Sequence, residues 1–236
     1  MMRGLSEIGK DLVAKTPRIY RALQNAEMAT RHVTRSLHDS DYRVFSDLPD
    51  GLVLDIGANV GQSAVSIAVV NRRVEILSIE ANPDCANHLR FAQRLIGKAH
   101  HYRIVGIGEK TEILPFFVPV TKGLSCWQEG TFDRSILDHE YTRSRLGSIE
   151  RIEERNLYIV TIDSLNLSPI GIKLDIQGHE KAALLGAVQT LRRCEPLLLI
   201  EKGPYDDGIG EFLRYLGYMP KSFDGASGLN AIWECR

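Results

Sequence analysis

From Gly51 onward the chain alternates short apolar runs with amphipathic stretches, and no other feature constrains its fold as tightly. GLVLDI, VEILSIE, HYRIVGI, LYIVTID, IGIKLDI and PLLLIE are apolar almost throughout rather than at every second residue, so each reads as a strand covered on both faces. SAVSIAVV, PDCANHLRFAQRLI and HEKAALLGAVQTLRR lie between some of them and read as helices. Strand, helix, strand repeated in this way requires parallel pairing with right-handed crossovers, which predicts an α/β open sheet with helices on both faces. EFLRYLGYMPKSF and NAIWECR add a helix and two final strands.

Two regions depart from the pattern. Residues 110–150 begin with a hairpin, ILPFFVP followed by GLSCW, and continue into a polar stretch without clean periodicity. An active-site lid and a plain surface loop both fit such an insertion. Residues 5–35 carry Ile8, Leu12, Ile19, Leu23 and Ala26 at helical spacings interrupted by Pro17, which predicts two short amphipathic helices. A lid, a homodimer contact and a simple cover for an open face are all open to them, the last carrying most weight. At 236 residues the expected organisation is a helical extension over 1–45 and a single domain over 46–236, with the insertion near 110–150.

Composition excludes several partners. The net charge of −1 gives no whole-chain signature of nucleic acid or anionic membrane, and no run approaches the roughly 18 apolar residues of a membrane span. The N-terminus does not read as a signal peptide. Cys85, Cys126, Cys194 and Cys235 are scattered without metal spacing, so the expectation is free thiols in a cytoplasmic protein, and no metal site.

The turn after the first strand, LDIGANVGQ at residues 54–62, carries the chemistry. In open α/β sheets ligands bind at the carboxyl ends of the strands where the strand order reverses. Gly57 and Gly61 let main-chain N–H groups approach a ligand, and the following helix favours negative charge there. A dinucleotide fingerprint fails at Asn59 and Gln62, and a P-loop fails for want of its lysine. S-adenosylmethionine fits better, because its amino-acid end is a zwitterion without pyrophosphate. Asp55 would attract the ammonium directly or through water while loop N–H groups receive the carboxylate. Glu80, ending the second strand nineteen residues after Gly61, would accept the ribose hydroxyls.

LDIGANVGQ, SIEANP, TIDSL, IKLDIQGHEKAALLGA and LLLIE together resemble the FkbM-type S-adenosylmethionine-dependent methyltransferases, over 150 of the 236 residues. The resemblance implies a Rossmann-like class I methyltransferase fold: seven strands, mostly parallel, with the last antiparallel. It implies O-methylation of a sugar, glycolipid or polyketide-type hydroxyl, so that the partner is a small-molecule or glycan acceptor. It places Asp55, Gly57, Ala58, Asn59 and Gly61 around the methionine end of the cofactor, Glu80 at the ribose with Ala81 and Asn82 alongside, and the turn Gly106 to Glu109 beside the adenine. KLDIQGHE departs from the family's commoner D-V-E-G-A-E wording at Gln177 and His179. A non-catalytic cofactor-binding module and a methyltransferase acting on nitrogen or nucleic acid remain alternatives, although D-I-Q-G stands where base-amino methyltransferases often carry N-P-P-Y.

Methyl transfer from a sulfonium is an in-line displacement in which positioning supplies much of the catalysis. An aliphatic hydroxyl also needs a base for its proton. Asp175, ending a strand at the cleft, is the first candidate and also a candidate cofactor ligand; His179 is the second and Glu201 the third. His179 and Glu180 equally read as first-turn helix residues, and Glu201 with Lys202 as a structural ion pair. Trp127, on the insertion, reads as a packing residue before a sugar-stacking one.

Overall fold

In the computed structural model, which describes residues 17–203 and 208–235, the apolar runs assemble side by side into a seven-stranded sheet. The chain runs α1 (Pro17–Thr34), β1 (Gly51–Ile56), α2 (Gln62–Val70), β2 (Val74–Glu80), α3 (Ala86–Ile96), β3 (His100–Ile104), β4 (Gly106–Ile107), β5 (Glu112–Thr121) and β6 (Leu124–Ser125). It continues through α4 (Ser135–Asp138), α5 (Glu140–Leu146), β7 (Arg151–Val160), β8 (Pro169–Leu174), α6 (Glu180–Leu185), α7 (Val188–Cys194), β9 (Leu197–Glu201), α8 (Ile209–Tyr215), β10 (Tyr218–Lys221) and β11 (Asn230–Cys235). The large sheet has the order β10-β11-β9-β8-β1-β2-β3. β1 pairs in parallel with β2 and β8, β2 with β3, and β8 with β9, while β11 is antiparallel to both β9 and β10. The reversed last strand is the one the sequence resemblance implies.

Successive residues of each strand feed opposite apolar layers. Leu54, Ile56, Ile172, Leu174, Leu198 and Ile200 pack with Ala183, Leu184 and Leu191 on one face. Val53, Ile76, Leu197 and Leu199 pack with Ala64, Ile67 and Phe45 on the other. Both faces being dry explains why these strands read as continuous apolar runs.

Three expectations change. LYIVTID is not a strand of the parallel sheet: it belongs to β7, which lies antiparallel to β5 in a second sheet of order β4-β7-β5-β6. The β7 burial pattern alternates, and Tyr158 is exposed, as a one-sided antiparallel strand requires. HYRIVGI breaks at Val105, so that β3 joins the large sheet and β4 the second. The single helix expected over HEKAALLGAVQTLRR is two, α6 and α7. Asp163 accounts for the break: its N–H donates to Gly186 O, and its carboxylate accepts the N–H groups of Gln189 (3.0 Å) and Thr190 (2.7 Å), capping α7 from a neighbouring turn.

Pro17 stands at the first position of α1, where its missing N–H costs nothing. The expected earlier helix, with Ile8 and Leu12, lies outside the described residues. Met28 of α1 packs with Val65 of α2 and Ala92 of α3. No helix among the described residues is long and apolar enough to cross a membrane.

After α1 the chain makes a 3₁₀ turn, Ser40–Phe45, held by one buried carboxylate. Asp41 accepts the main-chain N–H groups of Ser227 and Asn230, the Ser227 hydroxyl and the Asn230 amide. Burial alone would raise its pKa; the four donors outweigh it and hold the carboxyl below the ordinary range. A depressed carboxyl stabilises the fold above its unfolded pKa and loses that contribution as pH falls through the folded value. Asp41→Ala should therefore cost ~3 kcal/mol, read as about 6–12 °C in Tm at neutral pH. The gap to wild type should narrow in thermal melts carried below the ordinary carboxylate pKa.

Candidate active site

The strand order reverses between β1 and β8, and a cleft opens at their carboxyl ends. Gly57 makes the close approach possible: its φ is 75°, and a Cβ built on it would stand 1.7 Å from the Asp175 carbonyl oxygen. Glu80, at the end of β2, holds the loop from the other side. Its Oε2 accepts the Asn59 N–H at 2.7 Å and its Oε1 accepts the Asn82 N–H at 2.8 Å, leaving each oxygen acceptor capacity toward the cleft. Burial pushes the Glu80 carboxyl up against those two N–H groups.

Gly57, Ala58, Asn59, Glu80, Ala81, Gly106, Asp175 and Glu201 line this cleft. Four other residues expected at the site do not. Gly61 caps α2 and faces Ala92 of α3. Asn82 is buried, with its side-chain oxygen accepting the Asp84 N–H. Asp55 is fully buried and turned inward, where its Oδ2 accepts the hydroxyls of Ser63 and Ser78, both at 2.8 Å. It is not placed for direct contact with a ligand ammonium. His179 sits behind the turn against the Phe132 ring, 5.2 Å between centroids, and burial lowers its pKa. The N-terminal position in α6 that made it a candidate base also carries it away from the cleft.

Lys173, inside β8, was not singled out from sequence. Its side chain is 3% exposed, and its Nζ donates to Gly57 O at 2.7 Å and Ile56 O at 3.3 Å. The same ammonium lies 3.6 Å from Asp55 Oδ1 and 3.5 Å from Asp175 Oδ2. Burial would lower its pKa, but Asp175, Tyr42, Asp55 and Glu201 together raise it above the ordinary lysine value, so it stays charged. A signal was available: a lysine in the middle of IGIKLDI, a strand otherwise apolar, requires buried acids as partners.

Gln177 joins Asp175 to Glu201, its Nε2 donating to Asp175 Oδ1 at 3.0 Å and to Glu201 Oε2 at 2.9 Å. Thr131, bridged to Phe117 of β5, fixes that turn by donating to Gln177 O at 2.9 Å. Asp175 and Glu201 also hydrogen-bond each other. Burial would raise the Asp175 carboxyl, yet Lys173 and these hydrogen bonds bring it below the ordinary value. Glu201 goes the other way, raised by burial and by the Asp175 charge. The expected Glu201–Lys202 ion pair is not what holds Glu201, since Lys202 Nζ donates to Gly228 O. Glu180, pushed up to about 7 by burial, caps the turn by accepting the Ile176 N–H at 2.8 Å.

The insertion supplies the outer wall. Phe116 of β5 packs on Phe132 at 4.9 Å, and both line the cleft with Trp127, Gln128 and Arg145 of α5. Trp127 packs against Ala58, Cys85 and Leu89, with the Arg21 guanidinium 5.2 Å from its ring centre. Arg145 pairs with the buried Glu129 at 2.7 Å. The polar run without clean periodicity contains α4 and α5.

Because a carboxyl raised on folding penalises the folded state once pH exceeds its unfolded pKa, stability carried by the Glu201 site falls as pH rises above about 4.5. Glu201→Gln keeps the acceptor for Gln177 and a donor for Asp175. This variant should melt higher than wild type at pH 8, with the difference disappearing near pH 4 in parallel thermal melts.

The model of the Methyltransferase FkbM domain matches residues 55–221. No curated protein matches the chain. Among solved structures, the chain is similar to an FkbM methyltransferase from Methylobacillus flagellatus KT, with a TM-score of 0.53 and 15% identity over 92% of this chain and 59% of that one. It therefore spans about three-fifths of that protein's length. A precorrin-6y C5,15-methyltransferase from Geobacter metallireducens GS-15 aligns at a TM-score of 0.45 and 12% identity, covering 82% of this chain and 83% of that one. The likeness to the Methylobacillus protein describes the fold, which is the Rossmann-like class I methyltransferase fold.

Proposed function

The chain belongs to the FkbM methyltransferase family, and on that premise we propose that it is an O-methyltransferase acting on a hydroxyl of a sugar, glycolipid or polyketide-type molecule. S-adenosylmethionine is its cofactor. The observation that carries the reading is one cleft that joins Glu80, with acceptor capacity free on both oxygens, to the Asp175, Gln177 and Glu201 cluster.

In this reading the two ribose hydroxyls donate to Glu80, the adenine lies toward Ala81 and Gly106, and the methionine part follows the Gly57 to Asn59 loop. Asp55 acts indirectly, holding Ser63 and Lys173 in place. When bound, S-adenosylmethionine would supply an electrophilic methyl group, and Asp175 would stand on the acceptor side of the cleft. Asp175 would hold the acceptor hydroxyl in line and take its proton as the oxygen is methylated. Lys173 keeps Asp175 ionised, and Gln177 orients it. Trp127, Phe116 and Phe132 offer an apolar wall suited to a ring, and Arg145 a charged rim.

Calorimetric titration with S-adenosylhomocysteine, with NAD as control, is the first test: binding of the former alone is expected, and binding of NAD alone would overturn the reading. Glu80→Ala should weaken S-adenosylhomocysteine about 10- to 100-fold, since it removes charged acceptors from the ribose. Asp175→Asn should instead lower methyl transfer from labelled S-adenosylmethionine to a responsive hydroxylated glycolipid or natural product by roughly 10²- to 10⁴-fold. Its affinity for S-adenosylhomocysteine should change much less. Equal loss of affinity in both variants with full turnover at saturation would refute this division of roles.

A further inference from the structure

The insertion holds a second cavity, of about 490 Å³, that shares no lining residue with the cleft. Three arginines line it: Arg134 just before α4, Arg143 of α5 and Arg151 at the start of β7. Asp138 is the one carboxylate in the described lining, and Ser148 adds a hydroxyl. In a chain whose net charge is −1, this is a local concentration of positive charge.

Acidic neighbours do not use these arginines up. Arg143 gives one nitrogen to Asp138 at 2.7 Å, and Arg151 gives one to Glu153 at 2.9 Å. Each guanidinium carries five N–H donors, so most remain for another partner. Arg134 has no ion pair and no side-chain hydrogen bond among the described residues, and Asp133 beside it accepts from the Ser135 N–H and hydroxyl instead. The site also has a defined relation to the cleft. Arg151 pairs with Val120 in the ladder of β7 and β5, and Val120 shares a face with Phe116, four residues away. At the rise of an extended strand, that is about 13 Å along the sheet from the aromatic wall of the cleft. α5 lies between the two: Arg143 lines the cavity and Arg145 the cleft, and residues two apart project about 200° apart around a helix.

We propose that Arg134, Arg143 and Arg151, with the Ser148 hydroxyl, form a binding site for a phosphate-type oxyanion, separate from the methyl-transfer cleft. A carboxylate is planar, and one guanidinium covers it in a bidentate pair. A phosphate presents oxygens in several directions and carries nearly two charges, which suits three guanidiniums that arrive from three segments of the chain. The pairs with Asp138 and Glu153 hold two of those guanidiniums in place before the anion enters. Two sources supply the same chemistry: a phosphate on an elongated acceptor whose other end reaches the cleft, and free phosphate.

Phosphorus-31 NMR titration with inorganic phosphate tests the site, at an ionic strength held constant with sodium chloride because exposed charges are screened. Binding to the wild type is expected in the millimolar range. Arg134→Gln and Arg143→Gln should each weaken it about fivefold and leave S-adenosylhomocysteine affinity within about twofold of wild type. Thermal melts in phosphate-free buffer establish that each variant is folded. A disaccharide 1-phosphate separates the sources. Binding about tenfold tighter than inorganic phosphate, and reduced in Phe116→Leu, assigns the anion to the acceptor; equal binding of the two probes assigns it to free phosphate. No phosphate binding by the wild type, or binding that neither arginine variant weakens, would overturn the site. The methyltransferase reading is tested separately by S-adenosylhomocysteine binding and stands or falls on that result alone.

Discussion

The buried ammonium of Lys173 is the interaction on which the site depends. It satisfies the carbonyls of Ile56 and Gly57 where β1 turns into the loop, and it stands between Asp55 and Asp175. The Lys173 charge lowers the Asp175 carboxyl against the burial that would raise it. Removing a member of such a buried cluster typically costs about 3–5 kcal/mol, because the remaining charges are left uncompensated. The polar row continues sideways: Asp55 binds Ser78, and the Ser78 hydroxyl lies 2.9 Å from His100 Nε2 on β3. On the other side Asp175 is linked through Gln177 to Glu201 on β9. Five neighbouring parallel strands thus contribute one connected set of polar groups beneath the cleft. In a sheet otherwise packed with aliphatic side chains, this row fixes the relative positions of the strand ends and leaves Asp175 and Glu80 facing outward.

The second sheet has a different task. β5 and β7 pair over nine residues from Glu112 to Val120, far more than a simple hairpin loop would need, and they carry Phe116 and the turn with Thr131 and Phe132 to the cleft. Thr131 reaches the catalytic-side turn at Gln177, and Phe132 holds the His179 ring. The insertion is therefore joined to the candidate catalytic turn by a hydrogen bond and a ring contact, so its geometry and that of Gln177 are set together. This coupling gives a physical reason for the departures from the commoner family wording: Gln177 bridges two carboxyls, and His179 fills space behind them.

How far the sequence was legible follows from the kind of signal each feature leaves. Strands buried on both faces leave unbroken apolar runs, so β1, β2, β8 and β9 were readable directly. Glu80 and Asp175 were readable because each closes such a run beside a glycine or a turn. β7 was misread as a parallel strand because LYIVTI has the same apolar content, and the partner that exposes Tyr158 lies some forty residues earlier in β5. Asp55 was placed at the ligand because its position in the loop is that of a contact residue. Its direction depends on Ser63, Ser78 and Lys173, which lie on three different elements. His179 lies outside the cleft lining for the same reason: its sequence distance from Asp175 suits a catalytic pair, but its ring packs against Phe132.

By itself the sequence determined the architecture, the cleft at the β1 and β8 ends, and the acids that could line it, since periodicity and residue type report local conformation and burial. Tertiary structure alone decided which acids face the cleft and that Tyr42 reaches it at all. Those outcomes depend on the direction of side chains and on desolvation by residues distant in the chain. Lys173 between Asp55 and Asp175, Gln177 between Asp175 and Glu201, and Asp41 held by Ser227 and Asn230 are contacts that no local pattern encodes.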